Sequence, residues 1–97
     1  MQNELKLDGG EVVFVASLPD RVCNRLVLVW REHMNEWVTG LVSDDSAKFG
    51  EWVIGHYRST ETGAVENFLE RYRQNHGTDY EGTRKRLHEA LDARRGI

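Results

Sequence analysis

The fold is decided by residues 25–42, RLVLVWREHMNEWVTGLV, in which two apolar segments flank a polar centre. Both segments are rich in the β-branched and aromatic side chains that favour β-strands. We predict strands over residues 25–33 and 36–43, joined by a two-residue hairpin loop. With that loop length, Trp30 would lie opposite Thr39 in the paired strands.

Side chains alternate along a strand, so this hairpin has two faces, and both are apolar. One face carries Leu26, Leu28, Trp30, Trp37 and Leu41. The opposite face carries Val27, Val29, Val38, Gly40 and Val42. Because small residues let a helix approach a sheet closely, we expect helices on the valine and glycine face, which leaves the tryptophan face exposed. The alternative is that the tryptophans are core residues, with the two faces reversed or with residues 5–10 covering them.

Two more segments extend the hairpin into a β-meander over residues 11–58. The first strand is predicted over 11–17, and the Pro-containing segment 18–21 has the pattern of a type I turn. After a polar loop at 44–50, we predict a fourth strand over about 49–57. Strict alternation would place its side chains in two groups: Trp52, Ile54 and His56 on one side, and Val53 and Gly55 on the other.

Two helices are predicted within residues 60–95. The first carries an apolar stripe at three- and four-residue spacing: Ala64, Val65, Phe68, Leu69 and Tyr72. Ser59 or Thr60 can cap its start, and Gly77 suits the left-handed position after its last turn. The second begins at a capping box in residues 78–81 and has a thinner stripe. The predicted fold class is therefore α+β, a four-stranded antiparallel β-meander followed by two C-terminal helices packed on one face.

Length and composition fit a single soluble domain. The chain has 97 residues, 39% hydrophobic and 30% charged, with one proline, and we predict residues 1–10 to be a flexible lead-in. No apolar run approaches the ~18 residues that span a bilayer. The first ten residues are polar and lack the pattern of a secretory leader, so we expect a cytoplasmic location.

The sequence contains no specific catalytic or metal-binding motif. It lacks a phosphate-binding loop and a nucleophile elbow, and the lone Cys23 offers neither a disulfide nor a multi-cysteine zinc site. His33 lies near two glutamates and His56 precedes Tyr57 and Arg58, so each could be drawn as an acid-base group. Histidines are common at strand ends, however, and we predict a non-enzymatic protein without cofactor or metal.

Charge divides the chain into two parts. Residues 1–70 contain 12 Asp and Glu against 6 Lys and Arg, whereas residues 71–97 contain 4 against 7. A basic end of this kind can bind phosphates without reading sequence. The candidate nucleic-acid-binding residues are Arg84, Lys85, Arg86, Arg94 and Arg95. The tryptophans lie in the acidic part, which disfavours a platform for stacking nucleobases.

These features together predict a small protein-binding module, because tryptophan dominates many interfaces and acidic groups complement basic partners. The candidate partner-binding residues are Trp30, Trp37, Trp52, Asp44, Asp45 and Glu51. Small, compact, acidic proteins include phage and mobile-element inhibitors of host defence complexes, among them the anti-CRISPR type. The hypothesis that this chain is such an inhibitor rests on that analogy of size and charge and not on a motif match. The alternatives are a nucleic-acid-binding accessory protein and a homodimeric regulatory protein whose sheets pack face to face.

Overall fold

The computed structural model describes Leu7 and residues 10–96. The predicted flexible lead-in over residues 1–10 therefore lies largely outside the described residues. The elements in chain order are β1 (Glu11–Ser17), β2 (Arg25–Arg31), a 3₁₀ helix (Glu32–Met34), β3 (Glu36–Val42), α1 (Asp44–Lys48), β4 (Val53–Arg58), α2 (Glu61–Gln74) and α3 (Tyr80–Arg95).

The four strands form one antiparallel sheet in the order β1-β2-β3-β4, and α2 and α3 pack together on one of its faces. This arrangement confirms the predicted α+β fold class. Among the described residues, none of the helices combines the length and the apolar character needed to cross a bilayer.

The β2–β3 hairpin has a different register from the one predicted. Trp30 pairs with Trp37 rather than Thr39, because the chain reverses through four residues, 32–35, instead of two. The 3₁₀ helix fills most of this connection, and Asn35 closes it in the left-handed conformation at φ 51°. A shift of two residues preserves the side-chain alternation, so the predicted membership of the two faces in β2 and β3 is correct.

The helices cover the tryptophan and leucine face, so the prediction that they cover the valine and glycine face is wrong. Phe68 of α2 is fully buried against this face, and its ring meets Phe14 of β1 edge-on, with the centroids 5.7 Å apart. The side chains of this face are larger than the valines and glycine of the other, and long amphipathic helices offer a broad apolar stripe to bury them. We call this side of the sheet the helix side and the other the outer side.

The outer side is covered by smaller pieces of the chain. Its centre is a cluster of fully buried valines, Val27, Val29, Val38 and Val42. Leu7, Ala47 of α1 and Trp52 pack against this cluster. Leu7 thus contributes to the core on the valine face, and the rest of the predicted covering segment, apart from Gly10, lies outside the described residues.

The segment between β3 and β4 contains a short helix where a polar loop was predicted. Ser43 and Ser46 form reciprocal bonds, since the Ser46 N–H donates to Ser43 Oγ at 3.0 Å and the Ser43 N–H donates to Ser46 Oγ at 2.9 Å. This capping box begins α1, because it satisfies amide groups that have no partner within the first helical turn. The chain leaves the helix through Gly50 at φ 68°, and β4 starts only at Val53.

The long helices begin and end close to the predicted residues, with local differences. Thr60 caps α2, as predicted, but Asp79 rather than Thr78 caps α3. After α2 the left-handed residue is His76 at φ 64°, not Gly77. Gly77 instead donates its N–H to the Tyr72 carbonyl at 2.9 Å, and a Cβ at this position would overlap the Tyr72 ring. Glycine is therefore required by close packing there.

Candidate functional site

The three tryptophans lie on opposite sides of the sheet. Trp30 and Trp37 face the helix side with their ring centroids 5.0 Å apart, and Trp37 is buried. Arg94 of α3 places its guanidinium 5.4 Å from the Trp37 centroid and 5.9 Å from that of Trp30. The same guanidinium pairs with Glu11 at 3.2 Å. Trp37 is therefore a core residue, and Trp30 is partly buried against the same cluster.

Trp52 packs on the outer side over two glycines. A Cβ added at Gly40 would lie 2.7 Å from the Trp52 Cβ, and one added at Gly55 would lie 2.6 Å from Nε1 of the same indole. These glycines thus make room for a side chain, whereas the sequence suggested that they make room for a helix. The indole N–H donates to the Tyr57 hydroxyl at 3.2 Å, and the Arg31 guanidinium lies 5.7 Å from the ring centroid.

Exposed apolar side chains are frequent in the segment of the chain that contains Trp52. Of the seven large hydrophobic side chains exposed among the described residues, four lie within residues 49–57. They are Phe49, Val53, Ile54 and Tyr57. Phe49 is 75% exposed and Ile54 67% exposed, so both present most of their apolar surface to solvent. We call residues 49–57 with the adjoining first turn of α1 the β4 surface.

Ile54 has a strained backbone at the centre of the β4 surface. Its φ of 51° lies in the left-handed region, which is a marked outlier for a β-branched residue. The cause is a bulge in β4, since Thr39 pairs with His56 but Leu41 pairs with Val53, which leaves two residues of β4 opposite Gly40. The bulge turns Ile54 away from both the helix side and the valine cluster, consistent with its exposure.

A buried arginine from α2 holds the bulge in place. Arg71 is 3% exposed and donates from Nη2 to the Ile54 carbonyl at 2.8 Å and from Nη1 to the Thr39 carbonyl at 2.7 Å. It therefore bridges β3 and β4 where the bulge interrupts their ladder. Burial, followed by the nearby Arg58 charge, lowers the pKa of Arg71, and the two carbonyl acceptors compensate the guanidinium for its lost hydration.

His56 belongs to the same polar cluster on the helix side. The Thr39 hydroxyl donates to Asn67 Oδ1 at 2.5 Å, and Asn67 Nδ2 lies 3.3 Å from His56 Nδ1, which accepts its hydrogen in this arrangement. Burial, then the charges of Arg71 and Arg58, lower the pKa of His56. The ring is therefore neutral at pH 7 and acts as an acceptor that links β4 to α2.

The acidic candidates adjoin the β4 surface. Asp44 and Asp45 are exposed in the first turn of α1, where Asp44 pairs with Arg25 at 2.9 Å and Asp45 lies 3.9 Å from Lys48. The Glu51 N–H donates to the Ser46 carbonyl at 2.9 Å, which fixes this residue beside α1. Glu51 also lines a concavity of about 260 Å³, together with Arg31, Gly50, Trp52 and Tyr57. The structure thus brings Trp52 and the acidic candidates to one region.

The basic candidates of the C-terminal helices are largely paired with carboxylates. Arg84 contacts Glu81 at 3.0 Å and Arg86 approaches Asp79 at 3.6 Å. Arg95 contacts Glu61 at 2.6 Å, and Arg94 is held by Glu11 as described above. Of the five candidates, only Lys85 has no ion-pair partner among the residues that the structure describes. These contacts reduce the charge available to a phosphate backbone.

Comparison with protein-family models, with curated proteins and with solved structures finds no match for this chain. The functional proposal therefore depends on the geometry of the site.

The sequence reasoning missed Ile54 and Arg71 as members of the site. A signal for Arg71 was present, because Asn67 and Arg71 fall at helical spacing within the apolar stripe of α2, between Ala64 and Tyr72. Two polar residues on the core-facing side of a helix indicate a buried hydrogen-bond network. The bulge at Ile54 has no comparable signal, since isoleucine is among the residues least expected at a positive φ.

Proposed function

We propose that this chain is a small non-enzymatic protein-binding module that uses the β4 surface. The observation that carries the proposal is the concentration of exposed apolar side chains within residues 49–57, where Ile54 has a positive φ. Exposed apolar side chains that form a surface patch mark protein–protein interfaces, and strained residues concentrate at functional sites. Phe49 and Ile54 are the proposed anchors.

The acidic side chains define the chemistry of the partner. Asp45 and Glu51 are exposed beside the anchors, and Glu51 makes no ion pair among the described residues. A complementary surface would present apolar pockets for Phe49 and Ile54 with lysine or arginine side chains around them. In such an arrangement the apolar anchors supply most of the affinity, and the charges accelerate association and select the partner.

A partner with a basic surface is consistent with the setting predicted from the sequence. A phage or mobile-element inhibitor of a host defence complex would block a surface that otherwise binds nucleic acid. The acidic rim of the β4 surface would then occupy the positions of phosphates. The inhibitor role is part of the proposal, and it is supported by the acidic side chains that lie beside the exposed apolar ones on the β4 surface.

The non-enzymatic role is supported by the use of His56, the histidine of the polar cluster. Its Nδ1 accepts from Asn67, and burial followed by the charges of Arg71 and Arg58 lowers the pKa of the ring. The ring is thus engaged in linking β4 to α2. The nucleic-acid alternative is disfavoured, because four of its five candidate residues contact carboxylates of the same chain.

The experiment is an affinity capture from a lysate of the native host, with and without nuclease, read by mass spectrometry. Wild type is compared with Ile54→Ser and with Val22→Ser. Val22 and Ile54 are both 67% exposed, so the second variant controls for removal of an exposed apolar side chain elsewhere. We expect a stoichiometric protein partner that survives nuclease, remains bound to V22S and is lost from I54S.

Charge reversal then tests the acidic rim on the identified partner. Asp45→Lys with Glu51→Lys should slow association by at least about tenfold at low salt, because rim charges act mainly on the association rate. The thermal midpoint should change little, since both side chains are exposed and Asp45 makes only a long surface contact. Capture that is unaffected by I54S, or that disappears with nuclease, would contradict the proposal.

A further inference from the structure

The two edges of the sheet differ in how well they are protected against pairing with another strand. β4 is interrupted by the bulge at Ile54, and the Arg58 side chain donates to the Tyr57 carbonyl at 3.0 Å. Bulges and charged side chains are the usual means of preventing edge-to-edge association. The backbone of β4 is therefore guarded even though its side chains are exposed.

The β1 edge has the same kinds of protection in a weaker form. β1 pairs with β2 on one side, and no strand lies beyond it among the described residues. Its sequence, EVVFVAS, contains no lysine and no proline. Its single charged residue, Glu11, lies at one end and forms an ion pair with Arg94 at 3.2 Å. One bulge lies at Val13, so the segment from Phe14 to Ser17 pairs regularly with β2. An edge of this kind is available to another strand.

We propose that a second copy of this chain pairs its β1 with β1 of the first, antiparallel and across a two-fold axis at Val15. Both faces of the sheet are already covered, one by α2 and α3 and the other by Leu7, α1 and Trp52, so face-to-face packing of two sheets would have to displace these groups. An open edge is self-complementary under two-fold symmetry, because an antiparallel pair exchanges the same hydrogen bonds in both directions.

The register follows from exposure and charge. Val15 is the most exposed apolar side chain of β1, at 39%, and on the axis it would pack against its own copy. Phe14 would then lie opposite Ala16, and both of these face the helix side. Glu11 would lie opposite Pro19, beyond the end of the strand, so no like charges meet and its pairing with Arg94 is preserved.

The consequence is an eight-stranded sheet with β4 at both ends. Two copies of the β4 surface would point away from the dimer axis, and the dimer could bind two partner molecules or two sites on one assembly. The paired segment is short, so we expect a weak dimer whose population depends on concentration. This inference does not rest on the proposed function, since it concerns the opposite edge of the sheet.

The test is sedimentation velocity of the purified chain over concentrations from micromolar to submillimolar. We expect the apparent mass to rise toward twice the 11.2 kDa of the monomer. Val15→Lys should weaken the dimer by at least roughly tenfold, because it places two like charges opposite each other at the axis. Val53→Lys is the matched control, since Val53 is 37% exposed on the other edge strand, and it should leave the dimer unchanged.

Cysteine cross-linking provides a second test that does not depend on how well V15K folds. In a Cys23→Ser background, Val15→Cys should form a disulfide-linked dimer on mild oxidation, because directly opposed residues of antiparallel strands have Cα separations that suit a disulfide. Val53→Cys in the same background should not. A monomer over the whole concentration range, a dimer unaffected by V15K, or equal cross-linking at both positions would overturn the proposal.

Discussion

Replacing Ile54 by glycine tests whether its backbone is strained. The left-handed conformation costs an L-residue roughly 1–2 kcal/mol, and glycine adopts it without that cost. Glycine also lowers the free energy of unfolding by about 0.5–1 kcal/mol, because it gives the unfolded chain more conformational freedom. The lost side-chain burial is small, because Ile54 is 67% exposed. These contributions nearly cancel, so we expect I54G to be as stable as wild type or slightly more stable.

Val22→Gly supplies a reference that isolates the strain. Val22 is also 67% exposed and does not have a positive φ, so its replacement carries the burial and entropy costs without relief of strain. The two side chains differ by one methylene, which contributes about 0.8 kcal/mol only when fully buried. The free energy of unfolding of I54G should therefore exceed that of V22G by about 1–2 kcal/mol, the strain itself.

Urea denaturation of the three proteins measures this difference, and thermal unfolding provides a check. For a domain of this size, 1 kcal/mol corresponds to a midpoint shift of roughly 4–8 °C. If I54G is as destabilised as V22G, the positive φ carries no cost and the reasoning is refuted. If I54G is more stable but no longer captures the partner that V22G captures, the Ile54 side chain is kept for binding at the cost of a strained backbone.

Three further predictions concern the groups around this site. Arg71→Leu should lower the free energy of unfolding, measured by urea denaturation, by at least about 2 kcal/mol. The substitution leaves two backbone carbonyls without donors, and each costs roughly 1–3 kcal/mol. A change below about 0.5 kcal/mol, which is typical of a neutral surface substitution, would contradict this prediction. The pKa of His56 is lowered in the folded protein, so the unfolded chain binds a proton at this histidine more readily. The free energy of unfolding should therefore fall as the pH drops below about 6.5. The thermal midpoint of His56→Gln should depend less on pH in that range. A pH dependence unchanged in the variant would show that other groups are responsible. Gly40→Ala should lower the free energy of unfolding by about 1–3 kcal/mol, because the added methyl group displaces Trp52 from the sheet. Tryptophan emission should change as well. An unchanged emission spectrum would show that the indole does not pack over Gly40.

The sequence predicts the strands and helices well because their signals are local. The apolar alternation in residues 25–42 places side chains correctly on the two faces of the hairpin even though its loop is longer than expected. The choice of face for the helices is not local. It depends on which face offers more surface to bury. Gly40 suggested the wrong face for the helices, because the space above this glycine is filled by Trp52. The presence of Trp52 on the outer side could not be derived from alternation.

The bulge at Ile54 explains why alternation failed at that point, and it connects the core to the candidate site. Strict alternation puts Trp52 and His56 on the same side of β4, but one extra residue between Val53 and His56 reverses this relationship. His56 can then reach Asn67 on the helix side while Trp52 lies on the outer side over the glycines. The residue that makes this possible is itself left exposed, with its carbonyl held by a buried arginine. The same bulge thus completes the core on both sides of the sheet and creates the apolar projection through which we propose that the chain binds its partner.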